Sequence, residues 1–316
     1  MKILISGAAG FIGYHLAKQL CQNRKFNVLG IDSINGYYSK KLKKKKISLL
    51  KKNKNFFFKN INLTKKKSSE LIISKFKPDI IYHLAGQPGV LYSLKNPESY
   101  YKNNILATKN LVQIAKKLNI KKFVFASSSS VYGDQKKFPI KESFIKKPKN
   151  YYAKTKLICE EMIKKTFLFS NTKFLIFRFF TIYGPYGRPD MFIHKLLDCI
   201  KLGKKISLHN KGQNFRDFTY IDDVVKIFMH AIKNNIKSNI LNICRSKPIK
   251  TITLVNLIEK IYKKSSNKNL TGFIRGEMLK THGSNNLLKK NIKNLKFTDV
   301  QNGLKKTILI YKRFGY

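Results

Sequence analysis

Lys2-Ile3-Leu4-Ile5-Ser6-Gly7-Ala8-Ala9-Gly10-Phe11-Ile12-Gly13 opens the chain and decides its fold. Residues 2–6 are apolar enough for a buried strand, and an amphipathic run extends from the last glycine to about Arg24. Between them Gly7, Gly10 and Gly13 form G-x-x-G-x-x-G. Glycine there permits a tight turn, lets the backbone approach a pyrophosphate, and allows the helix to pack on the strand. The helix N-terminus then offers free N–H groups to the phosphates. A second strand, Asn27 to Ile31, ends at an acid, Asp32. Strand, glycine turn, helix, strand and acid in this order form a dinucleotide-binding unit. Asp32 would accept hydrogen bonds from the adenosine ribose and repel a 2′-phosphate, which favours NAD over NADP.

The same rhythm continues downstream. Strands are expected at 56–58, 79–84, 122–126 and 174–177, and helices at 40–52, 71–76, 104–118 and 151–169. This alternation predicts an α/β fold with a Rossmann-type, doubly wound parallel sheet. Beyond Phe180 the pattern changes. Thr181 to Asp190, rich in Gly, Pro and Tyr, reads as an ordered loop. Helices are expected at 192–201, 222–233, 253–263 and 300–314, with short strands at 206–210 and 215–219. The expected division is 1–180 for the dinucleotide-binding domain, with part of 213–247 returning to it. A smaller mixed α/β domain, 181–316, would lie at the carboxyl ends of the strands, where substrates bind in such folds.

At 316 residues the chain has room for an ample core. Its apolar runs are too short to span a membrane, and the N-terminus lacks the apolar region of a signal peptide. Cys21, Cys159, Cys199 and Cys244 are scattered without metal-binding spacing, as expected of reduced thiols in a cytoplasm. His83 and His194 likewise lack metal-like companions, and no metal is expected.

The net charge of +49 comes from 65 Lys and Arg against 16 Asp and Glu, and only seven of the basic residues are Arg. Lysine is spread over the whole length beside abundant Asn and Ile, the trio that AT-rich codons impose. A nucleic-acid surface would gather arginine and aromatic residues on one face. The excess therefore reads as coding bias and no nucleic-acid partner is expected, although anionic substrates would gain from the field.

Tyr152-Ala153-Lys154-Thr155-Lys156 follows the serine run Ser127-Ser128-Ser129-Ser130 by about two dozen residues. A tyrosine and a lysine four apart share one face of a helix. The ammonium favours the phenolate, so the tyrosine can take a proton from a sugar hydroxyl near neutral pH. A serine at the end of the preceding strand could share that hydrogen bond.

With the glycine loop, Asp32, the serine strand and Tyr152/Lys156 in one order, the chain resembles the extended short-chain dehydrogenase/reductases. More narrowly it is similar to the NAD-dependent nucleotide-sugar epimerases that act on UDP-glucuronate. ISGAAGFIGYHLA at the start, QPGVLYSLKNP from Gln87, FASSSSVYG from Phe125, RFFTIYGPYGRPDM from Arg178 and FRDFTYIDD from Phe215 carry the likeness. The resemblance implies that Tyr152 is the base, that Lys156 orients it and contacts the nicotinamide ribose, and that Ser128 is the third catalytic group. It places Gly7, Gly10, Phe11, Ile12, Gly13, Asp32, Asn62, Leu84, Ala85, Gly86, Asn104 and Tyr183 on NAD. It assigns Arg216, with Arg275 as a second candidate, to the UDP phosphates, and Ser129, Thr181 and Arg188 to the sugar. A homodimer is implied as well.

Dehydratases and decarboxylating synthases of this superfamily carry an acid just after the catalytic hydroxyl, where this chain has Ser129-Ser130. The galactose-type epimerases usually have Asn at the place of Thr181, so Thr181 with Arg188 points to a C6 carboxylate. The chain also departs from the related pattern. Leu91 stands where Arg is usual, Asn62 replaces an acid near the adenine, Gly276-Glu277 replaces Gly-Asp, and Ser284 stands where an acid is common. The expected activity is interconversion of UDP-glucuronate and UDP-galacturonate through a transient 4-keto sugar, feeding surface polysaccharide. The alternatives are a 4-epimerase of neutral UDP-hexoses or UDP-N-acetylhexosamines, and a non-enzymatic relative that binds a polyanion.

Overall fold

The computed structural model describes residues 1–273 and 278–315. In chain order the first half comprises β1 (Lys2–Ser6), α1 (Phe11–Cys21), β2 (Asn27–Asp32), α2 (Lys40–Lys51), β3 (Phe56–Asn60), α3 (Lys66–Phe76), β4 (Ile80–His83), α4 (Val90–Lys95) and α5 (Pro97–Tyr100). A π-helical segment, Tyr101–Leu106, runs into α6 (Ala107–Lys117), followed by β5 (Lys122–Ser128), α7 (Tyr151–Phe167) and β6 (Lys173–Phe179). The second half comprises β7 (Thr181–Tyr183), α8 (Phe192–Leu202), β8 (Lys205–Leu208), β9 (Phe215–Arg216), β10 (Phe218–Tyr220), α9 (Ile221–Lys233), β11 (Ile240–Ile243), β12 (Ile249–Lys250), α10 (Thr251–Tyr262), β13 (Asn267–Leu270), α11 (Asn286–Asn291) and α12 (Val300–Phe314).

Seven strands form one sheet in the order β11-β6-β5-β4-β1-β2-β3, and every pairing is parallel. Both faces of such a sheet are covered by helices, so its strands read as continuous apolar runs rather than alternating ones. β4, Ile-Ile-Tyr-His, is buried at all four positions. One face packs on α1, α2 and α9 through residues such as Leu16, Leu42, Val224 and Phe228. The other packs on α3, α6 and α7 through Ile73, Leu111 and Ile163. Each large apolar side chain so buried contributes about 1.5–3 kcal/mol. The chain leaves β1 for β2 and β3 on one side, then returns to β4 on the other. That reversal opens a crevice at the carboxyl ends of β1 and β4.

The Rossmann-type architecture read from the sequence is present, with local differences. The helix expected from residue 104 becomes regular only at Ala107, behind the π-helical turn that carries Asn104. The expected strand 215–219 divides at Asp217: Phe215–Arg216 pairs with β12, and Phe218–Tyr220 pairs with β7. The start of the expected loop 181–190 is therefore a strand. β11, which lies within 213–247, completes the large sheet beside β6.

Candidate active site

Gly7 sits at φ +76°, the left-handed region that suits glycine, and a Cβ there would lie 2.7 Å from the Ala85 nitrogen. A Cβ on Gly13 would lie 2.2 Å from the Gly7 carbonyl. Glycines at both places let α1 approach the turn, and Gly10 at its N-cap extends no side chain over the helix end. Asp32 caps the turn as well as facing the cleft: its carboxylate accepts from the backbone N–H of Ala9 at 3.1 Å and of Ile34 at 2.8 Å. Gly7, Gly10, Phe11, Ile12, Gly13, Asp32, Asn62, Leu84, Ala85 and Gly86 all line one cleft of about 480 Å³. A bare backbone cradle at a helix N-terminus, with an acid at the next strand's end, fits a dinucleotide's pyrophosphate and ribose.

The same cleft holds Ser128, Ser129, Tyr152 and Lys156. α7 begins where the Asn150 side chain accepts the Ala153 N–H at 2.9 Å, so Tyr152 and Lys156 stand on its first turns. Lys156 is 6 % exposed. Its Nζ donates to the Ala126 carbonyl at 2.8 Å and lies 4.9 Å from the centre of the Phe125 ring, both on β5. The strand thus fixes the ammonium from below. Ser128 Oγ, at the strand's end, accepts from Ser130 N–H at 3.2 Å and Ser130 Oγ at 2.9 Å. Tyr152 packs edge-on to Tyr100, with ring centres 6.1 Å apart.

Thr181 and Arg188 close the far side of the cleft. Arg188 is only 19 % exposed and makes a bidentate pair with Asp190, from Nε at 2.9 Å and Nη2 at 2.6 Å. Burial acts against the charged guanidinium, but the Asp190 pair outweighs it and holds the group protonated. Tyr37 supports this pair from the loop after β2: its hydroxyl donates to Asp190 at 3.2 Å, and its ring lies 5.8 Å from the guanidinium. An adjoining pocket of about 280 Å³ shares Phe11, Thr181, Ile182 and Met191 with the cleft and contains Arg216 and His209. Arg216 donates to the Phe215 carbonyl at 2.9 Å. The expected Arg275 lies outside the described residues, as do Gly276 and Glu277.

Two expected cofactor residues are placed differently. Asn104 is buried behind the cleft wall rather than in it. Its Oδ1 accepts Gln87 N–H at 2.6 Å, while its Nδ2 donates to Gln87 O at 3.2 Å and Thr155 Oγ1 at 3.0 Å. It holds the Gly86–Gln87 wall in place, and its side-chain amide is occupied by doing so. Tyr183 is 4 % exposed and borders the adjoining pocket, not the cofactor cleft. Its hydroxyl donates to Val300 O at 3.2 Å, in space left by Gly303 of α12. Burial drives its phenol far above the ordinary value, so it stays neutral.

Phe180 and Lys43 also line the cleft. Lys43 donates to the Asn35 side chain at 2.7 Å and to its carbonyl at 2.9 Å. Nothing in the sequence distinguishes this lysine from its neighbours in the run Lys40 to Lys46. The aromatic pair Tyr37-Tyr38, five and six residues after Asp32, is a signal that could have marked the loop. His83 is buried between Ser6 Oγ at 2.7 Å and Thr108 Oγ1 at 2.9 Å. Among the described residues no group of His, Cys, Asp and Glu could hold a metal ion, and no helix is long and apolar enough to cross a membrane.

A parallel sheet with a glycine cradle, and a tyrosine–lysine helix facing it, define a dinucleotide-dependent enzyme of the short-chain dehydrogenase/reductase type. The chain belongs to the NAD dependent epimerase/dehydratase family, whose model matches residues 3–244. NAD is the cofactor of that family, and the cradle described above fits it. The protein MJ1055 of Methanocaldococcus jannaschii is 41 % identical over 89 % of this chain and 86 % of its own length. The UDP-glucuronate 4-epimerase of Thermodesulfobacterium geofontis is 32 % identical over 96 % of this chain and 94 % of its own. The crystal structure of the Bacillus cereus UDP-glucuronic acid 4-epimerase, in complex with UDP-glucuronic acid and NAD, superposes with a TM-score of 0.92. It is 31 % identical and covers 99 % of both chains.

Proposed function

We propose that the protein is an NAD-dependent isomerase interconverting UDP-glucuronate and UDP-galacturonate through a 4-keto sugar. The observation that carries this reading is the presence of Thr181 and Arg188 in the same cleft as Ser128, Tyr152 and Lys156. The names of its relatives support the same substrate.

Gly7, Gly10, Gly13 and Asp32 would hold the dinucleotide. Bound NAD supplies a hydride acceptor that can return the hydride to the same carbon. Tyr152 takes the proton of the sugar C4 hydroxyl and gives it back to the oxygen after the ring has presented its other face. Lys156 keeps a positive charge beside the phenol and, through its bond to Ala126 O, cannot swing away. Ser128 shares the hydrogen bond to the C4 oxygen. Thr181 and Arg188 grip the C6 carboxylate through charge-assisted bonds, with Nη1 turned to the ligand while Nε and Nη2 stay on Asp190. Arg216 in the adjoining pocket meets the pyrophosphate. No carboxylate follows Ser128, so nothing equivalent to the dehydratase acid is present to work at C5. Exposed Leu94 on α4, Tyr101 on the π-helical turn and Ile158 on α7 support a homodimer through these contacting elements. The four buried, unpaired cysteines support a cytoplasmic setting.

The test is to offer the purified protein UDP-glucuronate, UDP-glucose and UDP-N-acetylglucosamine and identify the products. Conversion of UDP-glucuronate is expected, and turnover of the neutral sugars alone would overturn the assignment. Tyr152→Phe should lower the rate by about 10²- to 10⁴-fold while NAD still binds.

A further inference from the structure

Glu160 and Arg178 form a wholly buried ion pair directly beneath the catalytic residues, with side chains 0 % and 1 % exposed. Glu160 lies on α7, four residues after Lys156 and eight after Tyr152, so the three share one helical face. Arg178 lies on β6, in register with Ser127 of β5. Its Nε and Nη2 donate to Glu160 at 2.9 and 2.6 Å, and its Nη1 donates to Tyr132 Oη at 2.9 Å and Glu142 O at 3.1 Å. Tyr132 donates onward to Asn242 of β11 at 2.7 Å. Ser127 Oγ completes the site, donating to Glu160 Oε1 at 2.5 Å.

Consecutive residues of β5 therefore engage successive turns of α7. Ala126 accepts from Lys156, Ser127 donates to Glu160, and Ser128 enters the cleft with Tyr152. A buried ion pair is a poor device for stability, because an apolar pair of the same volume would serve as well or better. What it supplies here is a fixed rotation and height of the helix against the strand. Arg178 also neutralises a carboxylate that stands one turn from the Lys156 ammonium and would otherwise draw that charge down the helix.

We propose that Ser127, Glu160 and Arg178 are positioning residues for the reaction, setting where Tyr152 and Lys156 stand relative to Ser128. This rests on the reading of Tyr152 as the group that moves the C4 proton. Removing either charged partner would strand the other in the core, so the test uses Ser127→Ala, with Ser127→Thr as the variant that keeps the hydroxyl. Ser127 also borders the cleft, but its hydroxyl is turned to Glu160. For Ser127→Ala, kcat should fall about tenfold or more, as a small displacement of catalytic groups does. KM should stay within about twofold and Tm within about 2 °C. Amide hydrogen exchange of the sugar-free protein, measured with NAD bound, should speed up in residues 151–156, and Ser127→Thr should restore both kcat and exchange. An unchanged kcat overturns the proposal, as does unaltered exchange at 151–156. So does a parallel loss of kcat, KM and Tm that threonine does not rescue. The exchange measurement needs no sugar. A wild type inert towards UDP-glucuronate would therefore overturn the substrate reading and leave the positioning result standing on its own.

Discussion

Asp217 is wholly buried between Arg216 and Phe218, and its carboxylate accepts the backbone N–H groups of Ser246 and Gly283. Burial pushes its carboxyl up to about 6, and those N–H bonds and Arg245 only partly offset that. The folded value lies above the ordinary carboxylate value, so the folded state holds a proton that the unfolded chain has released between roughly pH 4 and 6. Stability from this group therefore rises as pH falls through 6, and the cost of its buried charge is fully present above 6. Asp217→Asn should remove that slope, a difference on the order of 2 kcal/mol between pH 7 and 4.5, read from paired denaturant titrations. At Arg188 the prediction concerns selectivity. Arg188→Ala should raise KM for UDP-glucuronate about 10- to 100-fold and alter a neutral UDP-sugar far less, as loss of a charge-assisted bond to a carboxylate would. An equal loss for both sugars would remove it from the carboxylate site.

The glycine turn and α1 act as one element, and Gly13 is where they touch. A Cβ there would sit 2.2 Å from the Gly7 carbonyl, so Gly13→Ala must push α1 off β1. Overpacking of this kind costs about 1–3 kcal/mol, and here it also widens the cradle. The expected outcome is a lower Tm with NAD affinity reduced at least about tenfold, measured by fluorescence titration. That element was legible in the sequence because its demands are local: a strand, three glycines, a helix and an acid follow one another without help from distant residues. α7 was legible for the same reason. Asn104 and Tyr183 were not, because burial decides them. The π-helical turn swings Asn104 onto the Gln87 backbone, and the pairing of β7 with β10 beneath α12 draws Tyr183 inward. The Glu160–Arg178 pair was equally hidden, since only the pairing of β5 with β6 brings residues 127 and 178 together. Tyr37 could have been suspected from its place after Asp32, but not its support of Arg188 across 151 residues of chain.

Across the whole molecule, 65 basic residues face 16 acidic ones. The acids are placed with economy: Glu160 and Asp190 fix arginines, Asp223 binds Thr298, and Asp299 caps α12. Few acids remain to dilute the field of the lysines, and a net charge this far from zero strains the compact state by self-repulsion. Added salt shortens the reach of that repulsion, to about 10 Å at 0.1 M. Tm should therefore climb as sodium chloride rises from about 20 to 300 mM, and a flat or falling curve would show that the lysines are already compensated. The uniform strand direction has a practical corollary. The cradle, the serines, Thr181 and the start of α7 all gather in the cleft where the strands end, away from the edge where they begin. The turns on that edge, at residues 22–25, 51–55 and 168–171, are largely exposed. They are the natural places to open the chain, move its termini or graft a reporter, because a change made there lies a full strand length from the cleft.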